Sequence, residues 1–85
     1  MIPRIRNIFT LNDYILKVTF DDGKTVLYDV KDDINTIPSY ADLMKVKGLF
    51  HAAQLDESRT VVSWTEDIDL PSDSIYEYGK VAVTD

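Results

Sequence analysis

Two alternating segments joined by Asp21-Asp22-Gly23 constrain the fold more than any other feature of this chain. Apolar side chains recur at every second position from residue 14 to 20 and again from residue 26 to 30. This period of two is typical of β-strands that bury one face. An Asp-Gly dipeptide between two such runs favours a tight turn, so residues 14–30 are predicted to form a β-hairpin.

The same pattern selects the pairing register of this hairpin. A two-residue loop would pair Leu16 with Asp29 and would place a carboxylate among apolar side chains. A three-residue loop pairs Val18 with Val26 and keeps one face apolar, and burial of that face decides the register. We therefore predict a three-residue loop in which Gly23 adopts the left-handed conformation that follows a type I turn.

Turn residues and apolar positions predict the remaining elements. In chain order they are a strand at residues 4–10, a loop at 31–38, a short helix from a capping box at Ser39 to Gly48, a second hairpin of residues 52–55 and 60–64, and a helical turn from Pro71 to Tyr76. Together they predict an α+β fold. It consists of a small antiparallel sheet of two hairpins plus an N-terminal strand, with one short inserted helix and a C-terminal helical turn.

The chain is long enough for one domain only, because 85 residues lie near the lower size at which a core is stable alone. We expect residues 1–78 to form this domain and residues 79–85 to be a loose C-terminal tail. The alternation from Lys80 to Thr84 leaves a second interpretation open, in which the tail adds a strand to a sheet edge. Such an edge strand, or the tail itself, also offers a contact for a homodimer.

The formal charge of −6 is confined to one quarter of the chain. Residues 1–55 carry seven acids and seven bases, whereas residues 56–77 carry seven acids and one base, Arg59. Residues 78–85 carry one of each, so the three segments contribute 0, −6 and 0. This acidic balance argues against direct nucleic-acid binding and against docking on an anionic membrane. It favours a basic protein as the partner.

Composition also predicts the compartment. The absence of cysteine excludes disulfides and thiolate metal sites. The first residues lack the apolar stretch of a secretory signal, and no run approaches the ~18 apolar residues that a membrane-spanning helix needs. We therefore expect a cytoplasmic protein.

Seven residues are predicted to contact a partner, because they combine the segregated charge with two aromatic rings. They are Trp64, Glu66, Asp67, Asp69, Asp73, Tyr76 and Glu77. A second interpretation of the acids is a solvated loop that caps a helix and keeps the protein soluble. For Trp64 the favoured interpretation is a core residue at a strand end, with its indole N–H bonded to a carbonyl.

No catalytic residue, metal site or cofactor is predicted. The acids at positions 66, 67, 69 and 73 offer oxygen ligands, but Leu70-Pro71 stands where a calcium-binding loop needs glycine. His51 is the only histidine, and no serine lies in a nucleophile elbow. Without a recognisable catalytic arrangement, we expect that the protein is not an enzyme.

Several short motifs occur here in the order and spacing of a known family. They are Pro3, the sequence from Phe20 to Gly23, Asp29, Leu43, Phe50 and the stretch from Trp64 to Tyr76. Over residues 2–76 the chain resembles family 2442 of the small bacterial domains of unknown function. The resemblance implies a compact α+β fold in a bacterial cytoplasm and brings no established activity. Some relatives look like one half of a two-gene pair or are joined to a helix-turn-helix domain, which implies toxin–antitoxin-like or regulatory roles.

These observations predict a non-enzymatic protein-interaction or regulatory module, such as an antitoxin-like subunit, that presents an acidic surface to a basic partner. The alternative is a small-ligand-binding domain with an aromatic pocket near Trp64, Tyr76 and Tyr78.

Overall fold

A computed structural model describes residues 2–84 and contains seven strands and three short α-helices within that range. The elements are β1 (Ile5–Thr10), β2 (Ile15–Phe20), β3 (Lys24–Asp29), α1 (Lys31–Thr36), α2 (Asp42–Lys45), β4 (Gln54–Leu55), β5 (Val61–Thr65), β6 (Ile68–Pro71), α3 (Ser72–Tyr78) and β7 (Lys80–Thr84). Single 3₁₀ turns lie at Asn12–Tyr14, Pro38–Ala41 and Phe50–Ala52. The predicted α+β class is confirmed.

The strands form two antiparallel sheets rather than one. The larger sheet has the order β1-β2-β3-β7, and the smaller sheet has the order β4-β5-β6. The two predicted hairpins therefore belong to different sheets. Both sheets contribute to one apolar cluster, so the described residues share one core.

The register of the first hairpin is confirmed. Val18 pairs with Val26, and Leu16 pairs with Tyr28. Gly23 has a φ of 91°, and its N–H donates to the Phe20 carbonyl at 3.0 Å. A residue with a Cβ atom is strained in this left-handed conformation, which explains the glycine.

The central connection differs from the prediction. Residues 31–36 form α1 instead of a loop, although only Ile34 in this helix is buried. One buried position in six gives no periodic signal, so the sequence pattern did not reveal this helix. The helix predicted from Ser39 is replaced by a 3₁₀ turn at Pro38–Ala41 and by α2, and Ser39 makes no capping hydrogen bond.

The segment before the last helix is also corrected. Ile68–Pro71 is a strand, β6, in which Ile68 and Leu70 are buried while Asp69 and Pro71 are exposed. Pro71 therefore ends a strand and does not begin the helix, which starts at Ser72 and continues to Tyr78. A proline is tolerated there because β6 is an edge strand, whose outer side needs no N–H donor.

The expectation of a loose tail at residues 79–85 is wrong for the part that the structure describes. Lys80–Thr84 forms β7, which pairs with β3, so the domain extends beyond residue 78. The Gly79 N–H donates to the Ile75 carbonyl at 2.9 Å, and this bond directs the chain from α3 onto the sheet edge. Asp85 lies outside the described residues.

Candidate interaction surface

Five of the predicted contact residues form what we call the acidic surface: Glu66, Asp67, Asp69, Asp73 and Glu77. All five side chains are exposed. Residues 65–79 contain these five acids and no lysine or arginine. This surface therefore concentrates five negative charges within fifteen consecutive residues.

The smaller sheet and α3 determine where these acids lie. Glu66 and Asp67 occupy the turn between β5 and β6. Asp69 points outward from β6, opposite Ser63 of β5, because its neighbours on either side are buried. Asp73 and Glu77 are four residues apart on α3 and therefore lie on the same side of that helix.

A buried tyrosine holds the backbone at Asp69, one residue of this surface. The Tyr40 hydroxyl donates a hydrogen bond to the Asp69 carbonyl. Burial, followed by the charges of Asp33 and Asp69, raises the pKa of Tyr40 to about 12. The phenol therefore stays protonated at neutral pH and remains a donor to β6.

Several acids elsewhere in the chain make structural contacts instead. Asp21 forms two hydrogen bonds with the Arg59 guanidinium, at 2.8 and 2.9 Å, which lower the pKa of that carboxyl. Asp56 accepts hydrogen bonds from Ser58 and from the Thr60 backbone, and its pKa is lowered as well, chiefly by the Ser58 hydroxyl. Asp56 thus shapes the turn between β4 and β5, and Asp21 joins the loop between β2 and β3 to Arg59 of that turn.

The acidic surface makes almost no such contacts. Among the contacts that the structure describes, none of its five carboxylates forms a salt bridge. One of them, that of Asp73, accepts a hydrogen bond, which comes from the neighbouring Ser74 N–H at 2.9 Å. Within the acidic segment of residues 56–77, Asp56 thus belongs to a structural turn, whereas the five acids of residues 66–77 form no described ion pair.

Trp64 does not belong to this surface, which corrects its assignment as a partner-binding residue. Its side chain is buried, with 9% of the residue exposed, and its Nε1–H donates to the Phe50 carbonyl at 2.8 Å. The rings of Trp64 and Phe50 stack with centroids 6.0 Å apart. The favoured interpretation from the sequence, a core tryptophan with its N–H bonded to a carbonyl, is confirmed.

Tyr76 is also occupied by contacts within the domain. Its hydroxyl donates to Asp22 at 2.7 Å, a bond that raises the pKa of Tyr76 and lowers the pKa of Asp22. Its ring packs edge-on against Phe20, and the Lys24 ammonium lies 3.9 Å from the ring centre. Tyr76 therefore packs against the β2–β3 hairpin, whereas Trp64 packs against the rings of Tyr40 and Phe50.

A family model described as "Protein of unknown function (DUF2442)" matches residues 5–81. The chain belongs to this family. No curated protein and no solved structure matches it. The family match extends from β1 into the first residues of β7, and it assigns no activity to any residue.

Two open cavities of the DUF2442 domain meet beside His51. Their volumes are about 380 and 470 Å³, and Leu11 and His51 line both of them. Neither Trp64 nor Tyr76 lines either cavity, so the aromatic pocket considered from the sequence does not coincide with them. The sequence did not predict this groove, because the residues of β1 do not show that this strand lies at the edge of its sheet.

His51 contacts a hydroxyl rather than an acid. Its Nδ1 lies 2.8 Å from the Thr10 Oγ1, and the described ion pairs and hydrogen bonds give it no carboxylate partner. Within residues 2–84, no group of three or more histidine, aspartate or glutamate side chains is placed to hold a metal ion. In the same range, no helix of the DUF2442 domain is both long and apolar enough to cross a membrane.

Proposed function

We propose that this DUF2442 domain is a non-enzymatic protein-interaction or regulatory module of the bacterial cytoplasm, of which an antitoxin-like subunit is one form. In this proposal the acidic surface binds a basic protein. The observation that carries it is the division among the acids. Asp21, Asp22 and Asp56 have partners within the domain, whereas the five carboxylates of the acidic surface have no cation among the described residues.

The arrangement carries an electrostatic cost that a basic partner would remove. Five like charges within residues 66–77 repel one another, and Glu77 lies near the negative C-terminal end of the α3 dipole, where an acid is unfavourable. Lysine and arginine side chains of a partner would replace this repulsion by attraction and would accelerate association at low ionic strength. A salt-sensitive complex is therefore the expected form of binding.

An exposed aromatic ring lies beside these charges. Tyr78 follows Glu77 at the end of α3 and is 73% exposed. Tyrosine is enriched among residues that dominate binding energy, because its ring buries a large area at low entropic cost. We assign Tyr78, rather than Trp64, as the aromatic contact of the acidic surface.

Affinity capture from the host lysate tests the proposal. The tagged domain should retain a basic protein at low salt and release it at high salt. Combined neutralisation of Glu66, Asp67, Asp69 and Asp73 to their amides should abolish this retention, because four charge-assisted contacts are lost. The circular dichroism spectrum should stay unchanged, since these four side chains form no ion pair and no long-range hydrogen bond among the described contacts.

A matched pair of variants separates position from net charge. Glu66→Gln with Asp69→Asn removes two charges from the acidic surface, and Glu57→Gln with Asp32→Asn removes two exposed charges elsewhere. The first pair should weaken capture, and the second should leave it unchanged. Equal effects of the two pairs, or full retention by the fourfold variant, would reject the acidic surface as the docking site.

A further inference from the structure

Strand β1 has an open hydrogen-bonding edge. Within residues 2–84 the sheet order gives β1 a single neighbour, β2. The Leu11 N–H donates to the Ile15 carbonyl at 2.8 Å, which shows that Leu11 faces β2. Successive strand residues direct their backbone groups to opposite edges, so Phe9 also faces β2, whereas Ile8 and Thr10 present their N–H and C=O groups to the open side.

The pairing on the other side of β2 gives the same alternation. The Val30 N–H donates to the Tyr14 carbonyl at 3.0 Å, so even-numbered residues of β2 face β3 and odd-numbered residues face β1. The beginning of β1 is covered, because the Ile5 N–H donates to the Arg59 carbonyl at 2.7 Å. Strand addition is therefore possible over the second half of β1, where no described backbone bond closes the edge.

The groove beside His51 encloses this open edge from both faces of the sheet. Phe9 and Leu11 line it on the outer face, and Ile8 and Ala53 line it on the inner side. It continues past the end of β1 along residues 43–48. Phe9 is 55% exposed, so a large apolar surface lies next to unpaired backbone groups. This combination provides main-chain bonds for affinity and side-chain contacts for specificity in strand-addition complexes.

The charges along the groove are those of a site for an anionic ligand. Lys17, Lys45 and Lys47 line it. The one acid among its described lining residues, Asp13, is paired with Lys31 at 3.3 Å. The sign of this groove is thus opposite to that of the acidic surface. A negatively charged strand with apolar side chains complements it, whereas a basic strand would meet like charges.

We propose that the open edge of β1 and the adjoining groove bind an extended acidic segment of a partner protein as an additional β-strand. This site is separate from the acidic surface and does not depend on it. Residues of the bound strand would pair with Ile8 and Thr10. On the inner face its apolar side chains would contact Ile8 and Ala53, and on the outer face its carboxylates would approach Lys17, which lies opposite Phe9.

Two synthetic peptides test the proposal on the whole domain. One alternates glutamate with valine, and the other alternates lysine with valine, so they differ only in the sign of charge. The acidic peptide should bind saturably in a nuclear magnetic resonance titration and should slow amide hydrogen exchange at Ile8 and Thr10. Exchange at Phe9 should change little, because its N–H is already bonded to β2. The basic peptide should not bind.

Charge variants provide the control. Lys17→Glu with Lys45→Glu should weaken binding of the acidic peptide about tenfold or more, since two attractions become repulsions. Arg4→Glu with Lys80→Glu makes the same change in net charge outside the groove and should leave the affinity unchanged. The absence of acidic-peptide binding, equal binding of both peptides, or binding that leaves the Ile8 and Thr10 amides unprotected would overturn the proposal. Concentration-dependent protection of these amides without peptide would instead assign the edge to a second copy of the chain.

Discussion

Replacing Trp64 with phenylalanine tests whether this side chain stabilises the core. Phenylalanine lacks the indole N–H, so the Phe50 carbonyl loses the donor that now lies 2.8 Å away. An unpaired buried acceptor costs about 1–3 kcal/mol. The smaller ring also buries roughly 50 Å² less apolar surface, which is about 1 kcal/mol at ~25 cal/mol per Å². The free energy of unfolding should therefore fall by about 2–4 kcal/mol.

Urea unfolding followed by far-ultraviolet circular dichroism measures this loss. Fluorescence is unsuitable, because Trp64 is the only tryptophan and the substitution removes the signal. A domain of this size has a free energy of unfolding of about 4–13 kcal/mol, so the expected loss is a large fraction of the total. Tyr78→Phe is the control, and a change below about 0.5 kcal/mol is expected because this ring is 73% exposed. A similarly small change for Trp64→Phe would refute the core role.

Three further substitutions examine the packing and charge contacts. Gly79→Ala should lower the free energy of unfolding, measured in urea, by about 1–3 kcal/mol, because the new Cβ would lie 2.6 Å from the Ile75 carbonyl oxygen. An unchanged value would argue against the pairing of β7 with β3. Ser72→Ala should cost about 1–3 kcal/mol by the same assay, because the fully buried Ser72 hydroxyl donates to the Pro3 carbonyl at 2.6 Å, and a neutral result would contradict that bond. A hydrogen bond from a tyrosine hydroxyl lowers the pKa of Asp22 in the folded state. The contribution of this carboxylate to folding stability is therefore complete above its unfolded pKa of about 3.9. It is lost as the pH falls through the lower pKa of the folded state. The melting temperature of Asp22→Asn should therefore depend less on pH in this acid range, and a curve parallel to that of the wild type would argue against the linkage.

Local sequence patterns predicted the parts of the fold that depend on neighbouring residues. The register of β2 with β3 follows from the alternation of apolar residues and from the length of one turn, so Val18 and Val26 could be paired without any other part of the chain. By contrast, α1 contains one buried residue, and its formation depends on packing that a six-residue pattern does not express.

The candidate surface was only partly predictable for a related reason. The sequence identified the concentration of acids, but it did not separate structural acids from free ones. Asp21 binds Arg59, which is 38 residues away, and Asp22 binds Tyr76, which is 54 residues away. Contacts between such distant positions depend on how the elements pack, so no spacing rule within one segment could reveal that Asp69 stays uncompensated.

The sequence by itself determined the α+β class, the first hairpin and its glycine turn, the favoured core role of Trp64 and the confinement of the net charge to residues 56–77. These properties depend on composition and on periods of a few residues. The tertiary structure alone decided that the hairpins lie in two sheets and that Lys80–Thr84 pairs with β3. It also decided that no described strand covers the outer edge of β1, beside a groove lined by three lysines. Strand partners and open edges depend on which distant segments bury their apolar faces together, and that choice is made by the packing of the whole chain.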